Sequence, residues 1–414
     1  MDKAKRTTLQ TQAAKTYNDA QKKQRPLSVP IHQSVNFEAV SSRQLGNDFR
    51  GKSEFVYQRF GHPTSRAAAE KIALLEEAEL GLVFSSGMGA ISTSLLAMAG
   101  SAGSHIVAQR AIFAQTLTFL SGPLHDLRVE TTFIDARDLK QVRRSIRHNT
   151  RLIYIESPSN PLLNVTDISA VSAIAKEKDI PVMIDGTFAS PYLQNPIALG
   201  ASVVLHSATK FLGGHSDVLC GAAAGDRDLI SKIAEMQILL GTTLDPHACW
   251  LLLRGIKTLG VRVQKQSDSA LAIARFLESK DVVENVRYPW LESSPGHETA
   301  RRQMRGGGGV VSFELKGGYA AARKFVDALQ LIPVATSLGG VETIIEIPAD
   351  LDFSEGELGD TSRGLGIASG LIRLSVGIED LDDLLADLSL GLEAAASLRE
   401  AVPEPLYRKT IGVE

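Results

Sequence analysis

The residues best suited to chemistry lie just past short apolar runs. Lys210 stands between Thr209 and Phe211, a short turn past Ser202-Val203-Val204-Leu205. An ammonium so close to a buried strand is costly unless it is paired or used covalently. Imine formation with an aldehyde cofactor is the known use of such lysines. That chemistry needs a carboxylate against the cofactor's pyridine nitrogen, so that the ring stays an electron sink. Asp185 follows Val182-Met183-Ile184 and can fill that place. A cofactor phosphate needs amides and hydroxyls. Ser86, Gly87 and Met88 follow Leu82-Val83-Phe84 and open an Ala/Leu-rich stretch, whose helical N-terminus offers N–H groups and a favourable dipole. Ser207 and Thr209 add hydroxyls, while Glu156, Ser157, Ser159 and Asn160 follow Tyr154-Ile155, and His206 follows Leu205. Open parallel sheets bind ligands beyond the carboxyl ends of their strands. Taken singly these signals are common: an S-x-x-K, a glycine in a turn, a capping aspartate. Their order along the chain, each at the end of an apolar run, is what points to a single site.

The elements that must position them follow from pattern. The runs are short and bounded by turn residues, and helical stretches separate most of them, which predicts an α/β fold with a largely parallel sheet. Ser65 is placed to cap the helix that precedes the first run. Residues 135–147 and 168–178 read as amphipathic connecting helices. Residues 250–278 read as one long helical bridge to a second domain. There Val310 to Leu315 alternate as a strand, and mixed signals predict a smaller α+β C-terminal domain. Residues 1–61 have little periodicity and form an arm that must lie on another surface. The expected division is therefore an arm, 1–61, a large domain, 62–261, and a smaller one, 262–414. The acidic residues 350–360 read as a loop.

Composition narrows the function. Net charge is −3 over 414 residues, with 44% hydrophobic and 22% charged, so nothing points to nucleic acid or a membrane as partner. Two cysteines, Cys220 and Cys249, make no disulfide framework and no metal-ligand cluster, and read as buried thiols. No metal is expected. The polar first 25 residues lack the apolar core of a secretory signal, and no run is long enough to span a bilayer, so the expected location is the cytoplasm.

The motifs together resemble the Cys/Met-metabolism family of pyridoxal phosphate (PLP) enzymes: cystathionine γ-synthase, cystathionine γ-lyase, methionine γ-lyase and the homoserine-ester sulfhydrylases. The most specific is His206-Ser207-Ala208-Thr209-Lys210-Phe211-Leu212-Gly213-Gly214-His215. Tyr57-Gln58-Arg59, Ser85-Ser86-Gly87-Met88, residues 156–161, 337–343 and 372–377 match as well. The resemblance implies the PLP-dependent transferase fold type I, with helices on both faces of a mostly parallel central sheet. It implies PLP on Lys210, which would also shuttle protons, and Asp185 at the pyridine nitrogen. Ser86, Gly87, Met88, Ser207 and Thr209 would bind the phosphate, joined by Tyr57 and Arg59 from an adjacent subunit of a homotetramer built as a dimer of dimers with shared active sites. Arg373 would hold the substrate carboxylate, and Asn160 and Ser337 would support cofactor and substrate.

The chain also departs from the family pattern. Phe113 stands where many members have a ring-stacking, acid/base tyrosine, so it can stack but has no phenol proton. Gly186 follows Asp185 where asparagine is common, and is expected to free space. Glu346 resembles the glutamate of cystathionine γ-lyases that faces the distal end of the substrate, and acids from Asp350 to Glu355 follow it. A carboxylate there suits a cationic distal group, such as the second ammonium of cystathionine or a canavanine-like guanidinium. It would repel a succinyl ester. The expected activity is γ-elimination from a small amino acid with a γ-heteroatom leaving group (cystathionine-, methionine- or canavanine-like), through a vinylglycine-type intermediate. γ-Replacement, as in cystathionine γ-synthase or an O-succinyl- or O-acetylhomoserine sulfhydrylase, is the alternative. A non-catalytic PLP-binding regulator is a remote third, which Phe113 favours and an intact Lys210, Asp185 and Arg373 oppose.

Overall fold

In the computed structural model, which describes residues 7–15, 26–52, 55–351 and 367–400, two sheets carry the architecture. The larger contains β1 (Leu80–Phe84), β2 (His105–Gln109), β3 (Glu130–Ile134), β4 (Thr150–Glu156), β5 (Val182–Asp185), β6 (Val203–His206) and β7 (Gly221–Gly225). Their order is β1-β7-β6-β5-β4-β2-β3, and only β7 runs against its neighbours. The smaller sheet is antiparallel, ordered β10-β11-β9-β8, from β8 (Val283–Arg287), β9 (Val310–Leu315), β10 (Ile344–Glu346) and β11 (Leu371–Ser375).

The large sheet is covered on both faces, which is why its strands read as unbroken apolar runs. Leu152 and Tyr154 of β4 join one buried cluster, with helices Gly87–Ala99 and Arg227–Leu240. Ile153 and Ile155 join another, with helix Ile168–Lys176. Helix Pro63–Glu76 packs Ala68, Ile72 and Leu75 beneath Val204 of β6. The α/β class with a mostly parallel sheet and a smaller C-terminal sheet is thus what the sequence pattern predicts.

Several local expectations change. The first long helix begins at Pro63 with His62 as its cap; Ser65 lies inside it and donates to the His62 carbonyl. Proline at the first helical position is preorganised for this start. Of residues 135–147 only Leu139–Ser145 is helical, because Asp138 caps it and Asp135 turns back to bind Arg137. The expected single helix over 250–278 is two, Pro246–Ile256 and Leu259–Glu278. The second enters both cores: Leu259 and Val263 pack under the large sheet, and Ala270, Ile273, Ala274 and Leu277 under the small one. In β9 the polar Ser312 is also buried, and its Oγ donates to the Pro161 carbonyl at 2.7 Å. The first arm segment forms helix Leu9–Ala14 and docks on its own chain, where the buried Lys71 donates to the carbonyls of Gln12 and Lys15. Cys220 and Cys249 are buried free thiols, and burial pushes the first up to about 12.

The break between the two helices serves the turn that carries Lys210. Arg262, itself buried, donates to the carbonyls of Phe211 and Gly255, both at 2.9 Å. Gly255 lies so close to that turn that a β-carbon on it would stand 2.1 Å from the Gly213 carbonyl oxygen. The contact is backbone against backbone and cannot be relieved by a rotamer. Gly255→Ala is therefore expected to destabilise the protein by about 1–3 kcal/mol. Scanning calorimetry checks this, and an unchanged unfolding midpoint would show that the turn is not clamped there.

Candidate active site

Lys210 is held on a tight turn just after β6, with its N–H on the Ser207 carbonyl and its own carbonyl accepting from Gly214. Its Nζ donates to Ser337 Oγ at 2.6 Å. Ser337 has a left-handed backbone, φ 89°, a strained conformation for a serine. The same residue's carbonyl accepts from Arg373 Nη2 at 2.6 Å. Arg373 also donates to Asn160 Oδ1 at 3.0 Å and pairs with Glu346 Oε1 at 2.9 Å. Residues from distant stretches of the chain, Lys210, Ser337, Arg373, Asn160 and Glu346, thus form one cluster where the small sheet meets the carboxyl edge of the large one.

Burial sets the electrostatics of this cluster. It lowers the Lys210 ammonium to about 8, helped by the Arg373 charge and opposed by Glu346. It lowers Arg373, against the pull of Glu346. It raises Glu346, while Arg373 and Lys210 act the other way. Two buried atoms lack any hydrogen-bond partner: Glu346 Oε2 and Arg373 Nε. Orphaned polar atoms of opposite character in one pocket are a place for a polar ligand.

A second group sits at the ends of β4 and β5. Asp185 is buried and accepts from the Thr187 N–H at 2.9 Å; burial raises its titration, and the bonds from Thr187 oppose that. Its register partner on β4 is Glu156. Glu156 accepts from the Phe113 N–H at 2.8 Å and the Asn160 N–H at 2.7 Å. Burial, then the Asp185 charge, pushes it well above the usual carboxylate range. One carboxyl therefore ties down the loop that presents Phe113 and the loop that presents Asn160. The sequence showed Glu156 after an apolar run but gave no sign of this double contact, since Phe113 is far away along the chain.

The anion cradle lies at helix Gly87–Ala99. The N–H groups of Gly87 and Met88, in its first turn, have no intrahelical acceptor. Ser207 stands opposite: a β-carbon on Gly87 would lie 2.7 Å from both Ser207 Cβ and Oγ. The cradle is open only because residue 87 is glycine. Ser86 Oγ is used as the helix cap, accepting from Gly89 at 2.9 Å, and Thr209 Oγ1 exchanges hydrogen bonds with both backbone groups of Cys220.

Other expected features land elsewhere. His206 turns to the far face of the sheet and binds Glu76 at 2.6 Å, so it does not enter the site. Gly186 frees no space: a β-carbon there would meet the His206 ring at 3.0 Å and Val204 at 3.2 Å. Asp350 accepts from the Tyr319 hydroxyl, away from the cluster, and Asp352 to Glu355 lie outside the described residues. Arg59 donates to the Ile238 carbonyl at 3.0 Å and lies over Phe60; no described hydrogen bond joins it or the half-exposed Tyr57 to Lys210. Among the described residues no group of three or more His, Cys, Asp or Glu could hold a metal ion, and no helix is long and apolar enough to cross a membrane.

A partly buried amine, a buried carboxyl at the end of β5 and a glycine-gated cradle at a helix start match the donor set that a phosphorylated pyridine aldehyde requires. The family model described as Cys/Met metabolism PLP-dependent enzyme matches residues 10–393. This chain belongs to that family. It is 39% identical to L-methionine gamma-lyase of Fusobacterium nucleatum, over 89% of this chain and 93% of that protein. It is 42% identical to cystathionine beta-lyase of Lactococcus lactis, over 89% and 94%. The crystal structure of cystathionine gamma-lyase from Lactobacillus plantarum complexed with L-serine superposes with a TM-score of 0.87 at 38% identity, covering 94% of this chain and all of that one (100%). The protein is therefore a PLP-dependent lyase or γ-synthase with an amino-acid substrate, and its fold is that of the PLP enzymes of Cys/Met metabolism.

The depressed titration of Lys210 has a direct consequence. Its free amine dominates from about pH 8 upward, well below an ordinary lysine. In cofactor-free protein, Lys210 is expected to react with an amine-directed acylating reagent with its midpoint near that pH. Arg373→Met removes a neighbouring positive charge and should move the midpoint upward. Peptide mapping of labelled Lys210 against pH checks both; a midpoint at the ordinary lysine value would contradict the burial argument.

Proposed function

We propose that the protein is a γ-elimination lyase acting on an amino acid whose γ-heteroatom leaving group carries a cationic tail, as in cystathionine or canavanine. The observation that carries this is the joint placement of Lys210, Arg373 and Glu346 in one pocket, with Glu346 Oε2 lacking a partner. PLP, held on Lys210, supplies an electron sink for bond breaking at the substrate's α- and β-carbons. Asp185 keeps the pyridine nitrogen protonated. Gly87, Met88 and the Ser207 hydroxyl hold the phosphate, and Ser86 shapes the cradle as its cap. Thr209 lines it through its bond to Cys220.

Arg373 holds the substrate α-carboxylate, a planar donor against a planar acceptor. Ser337 and Asn160 keep the guanidinium in that plane through their oxygens. Lys210 would take the Cα proton: its titration, lowered to about 8, gives it a larger free-amine fraction than an ordinary lysine, while Ser337 Oγ fixes its direction. Once that proton has been passed on, the same amine would take a second one from Cβ, and the γ substituent would leave with the electron pair of its bond. Phe113 covers the ring without offering a proton, so the leaving group's proton comes from Lys210 or water. Glu346 reads the distal cation and repels an anionic ester. We extend the reading to a homotetramer in the cytoplasm, divided as 1–61, 62–261 and 262–414, with Tyr57 and Arg59 reaching a neighbour's phosphate. The arm's exposed Val40 (92%) and Phe49 (59%) are apolar side chains that a second subunit would cover.

Two measurements test this. Borohydride reduction of the purified holoenzyme, followed by peptide mass mapping, should place the pyridoxyl adduct on Lys210; an adduct elsewhere, or none, ends the assignment. A substrate panel of cystathionine, canavanine, methionine and acylated homoserines should release keto acid fastest from the cationic pair. Glu346→Gln should lower kcat/KM for those two at least about tenfold, the scale of a lost buried charge pair, and far less for methionine. Equal losses would remove Glu346 from substrate recognition.

A further inference from the structure

We propose that Glu346 is the resting counter-ion of Arg373 and that the substrate's α-carboxylate takes over this partnership, so that an amino acid with a neutral side chain binds together with a proton while one with a distal ammonium does not. The inference rests on Arg373 as the carboxylate holder.

The pair is built into the backbone. Glu346 on β10 and Arg373 on β11 are register partners in an antiparallel ladder, so their side chains are held face to face whatever occupies the pocket. Arg373 is enclosed, and its other acceptors, Asn160 Oδ1 and the Ser337 carbonyl, are neutral. Glu346 is thus the one carboxylate bonded to it among the described residues. A buried guanidinium without an anion is strongly unfavourable, so the empty pocket needs Glu346 ionised. An arriving carboxylate reverses the situation: two anions then share one cation. Glu346 Oε2, already buried without a donor, becomes the unsatisfied member. A proton on it relieves the excess charge, and so does an ammonium placed against it by the ligand's own tail.

The other charges facing Glu346 do not remove this need. Lys210 is turned to Ser337 Oγ. Glu379, from the segment after β11, spends both oxygens on Thr343. Asp185 and Glu156, at the edge of the large sheet, are carboxyls themselves and add no positive charge. Burial already raises Glu346, with Arg373 as the leading opposing influence. A ligand that shares Arg373 weakens that opposition and raises Glu346 further. Binding that raises a group's titration takes up protons, and so weakens as pH increases.

A matched pair of unreactive ligands reads this out. Lysine and norleucine have the same chain length and lack a γ-heteroatom; they differ in the terminal ammonium. Their binding to the native holoenzyme is followed by titration calorimetry in buffers of different ionisation heat, at neutral to mildly alkaline pH, with correction for each free amino acid's own α-amine ionisation. Norleucine should take up about one proton more than lysine, and its affinity relative to lysine should fall about tenfold per pH unit above the Glu346 titration. In Glu346→Gln the difference in proton uptake should vanish. Equal uptake by the two ligands in the native enzyme overturns the proposal, and so does a difference that survives Glu346→Gln. Arg373→Met separates the two levels of the argument. If it leaves norleucine affinity unchanged, the assignment of Arg373 fails and this inference with it. If it abolishes binding while native uptake is equal, only the proton-exchange role of Glu346 is lost.

Discussion

Two cations share one largely buried pocket, and most of the site's design answers that constraint. Lys210 and Arg373 are bridged by Ser337, whose hydroxyl meets the amine and whose carbonyl meets the guanidinium. Burial is the larger influence on which of them stays charged, and the repulsion of Arg373 adds to it. The guanidinium keeps its proton because its ordinary titration is so high, and the amine gives way, to about 8. The pocket thereby produces a nucleophilic amine beside a permanent cation. Glu346 is paired with that guanidinium at 2.9 Å.

The supporting structure makes that pocket possible by bringing two sheets together. The large sheet delivers polar residues at the carboxyl ends of β1, β4, β5 and β6, as open parallel sheets do. The small sheet delivers Arg373 from the middle of β11 and Glu346 from the end of β10. The junction is fixed at points that do no chemistry. Arg262 ties the lysine turn to the helix break, Ser312 binds the carbonyl of Pro161 beside Asn160, and Glu156 gathers the loops of Phe113 and Asn160. Rigid positioning of this kind holds a buried polar cluster in one geometry.

The relatives span lyases acting on different carbons and a synthase, on one fold. Such a spread is what a common pocket with variable walls produces, since the cofactor carries the difficult chemistry and the protein chooses the substrate and the fate of the electrons. Under the proposed function, the walls that set this chain apart are Phe113, a ring without a proton, and Glu346, a carboxyl paired with Arg373.

The sequence by itself determined the fold class and which polar residues stand at the ends of the apolar runs, because both are written in local order. Strands buried on both faces appear as continuous apolar runs, and the residue after each run is at the sheet's carboxyl edge whatever the details of packing. Lys210, Asp185 and Gly87 were legible for that reason. Helix limits were less so: proline at 63 and the capping Asp138 outweighed the periodicity that suggested other starts. Only the tertiary structure decided what each polar group faces. The pairing of Glu346 with Arg373 depends on strand register, the double contact of Glu156 on two loops distant in the chain, and the turn of His206 to Glu76 on which face of β6 it occupies. These are contacts between residues that no local pattern links, and they are set by how the two sheets close on each other.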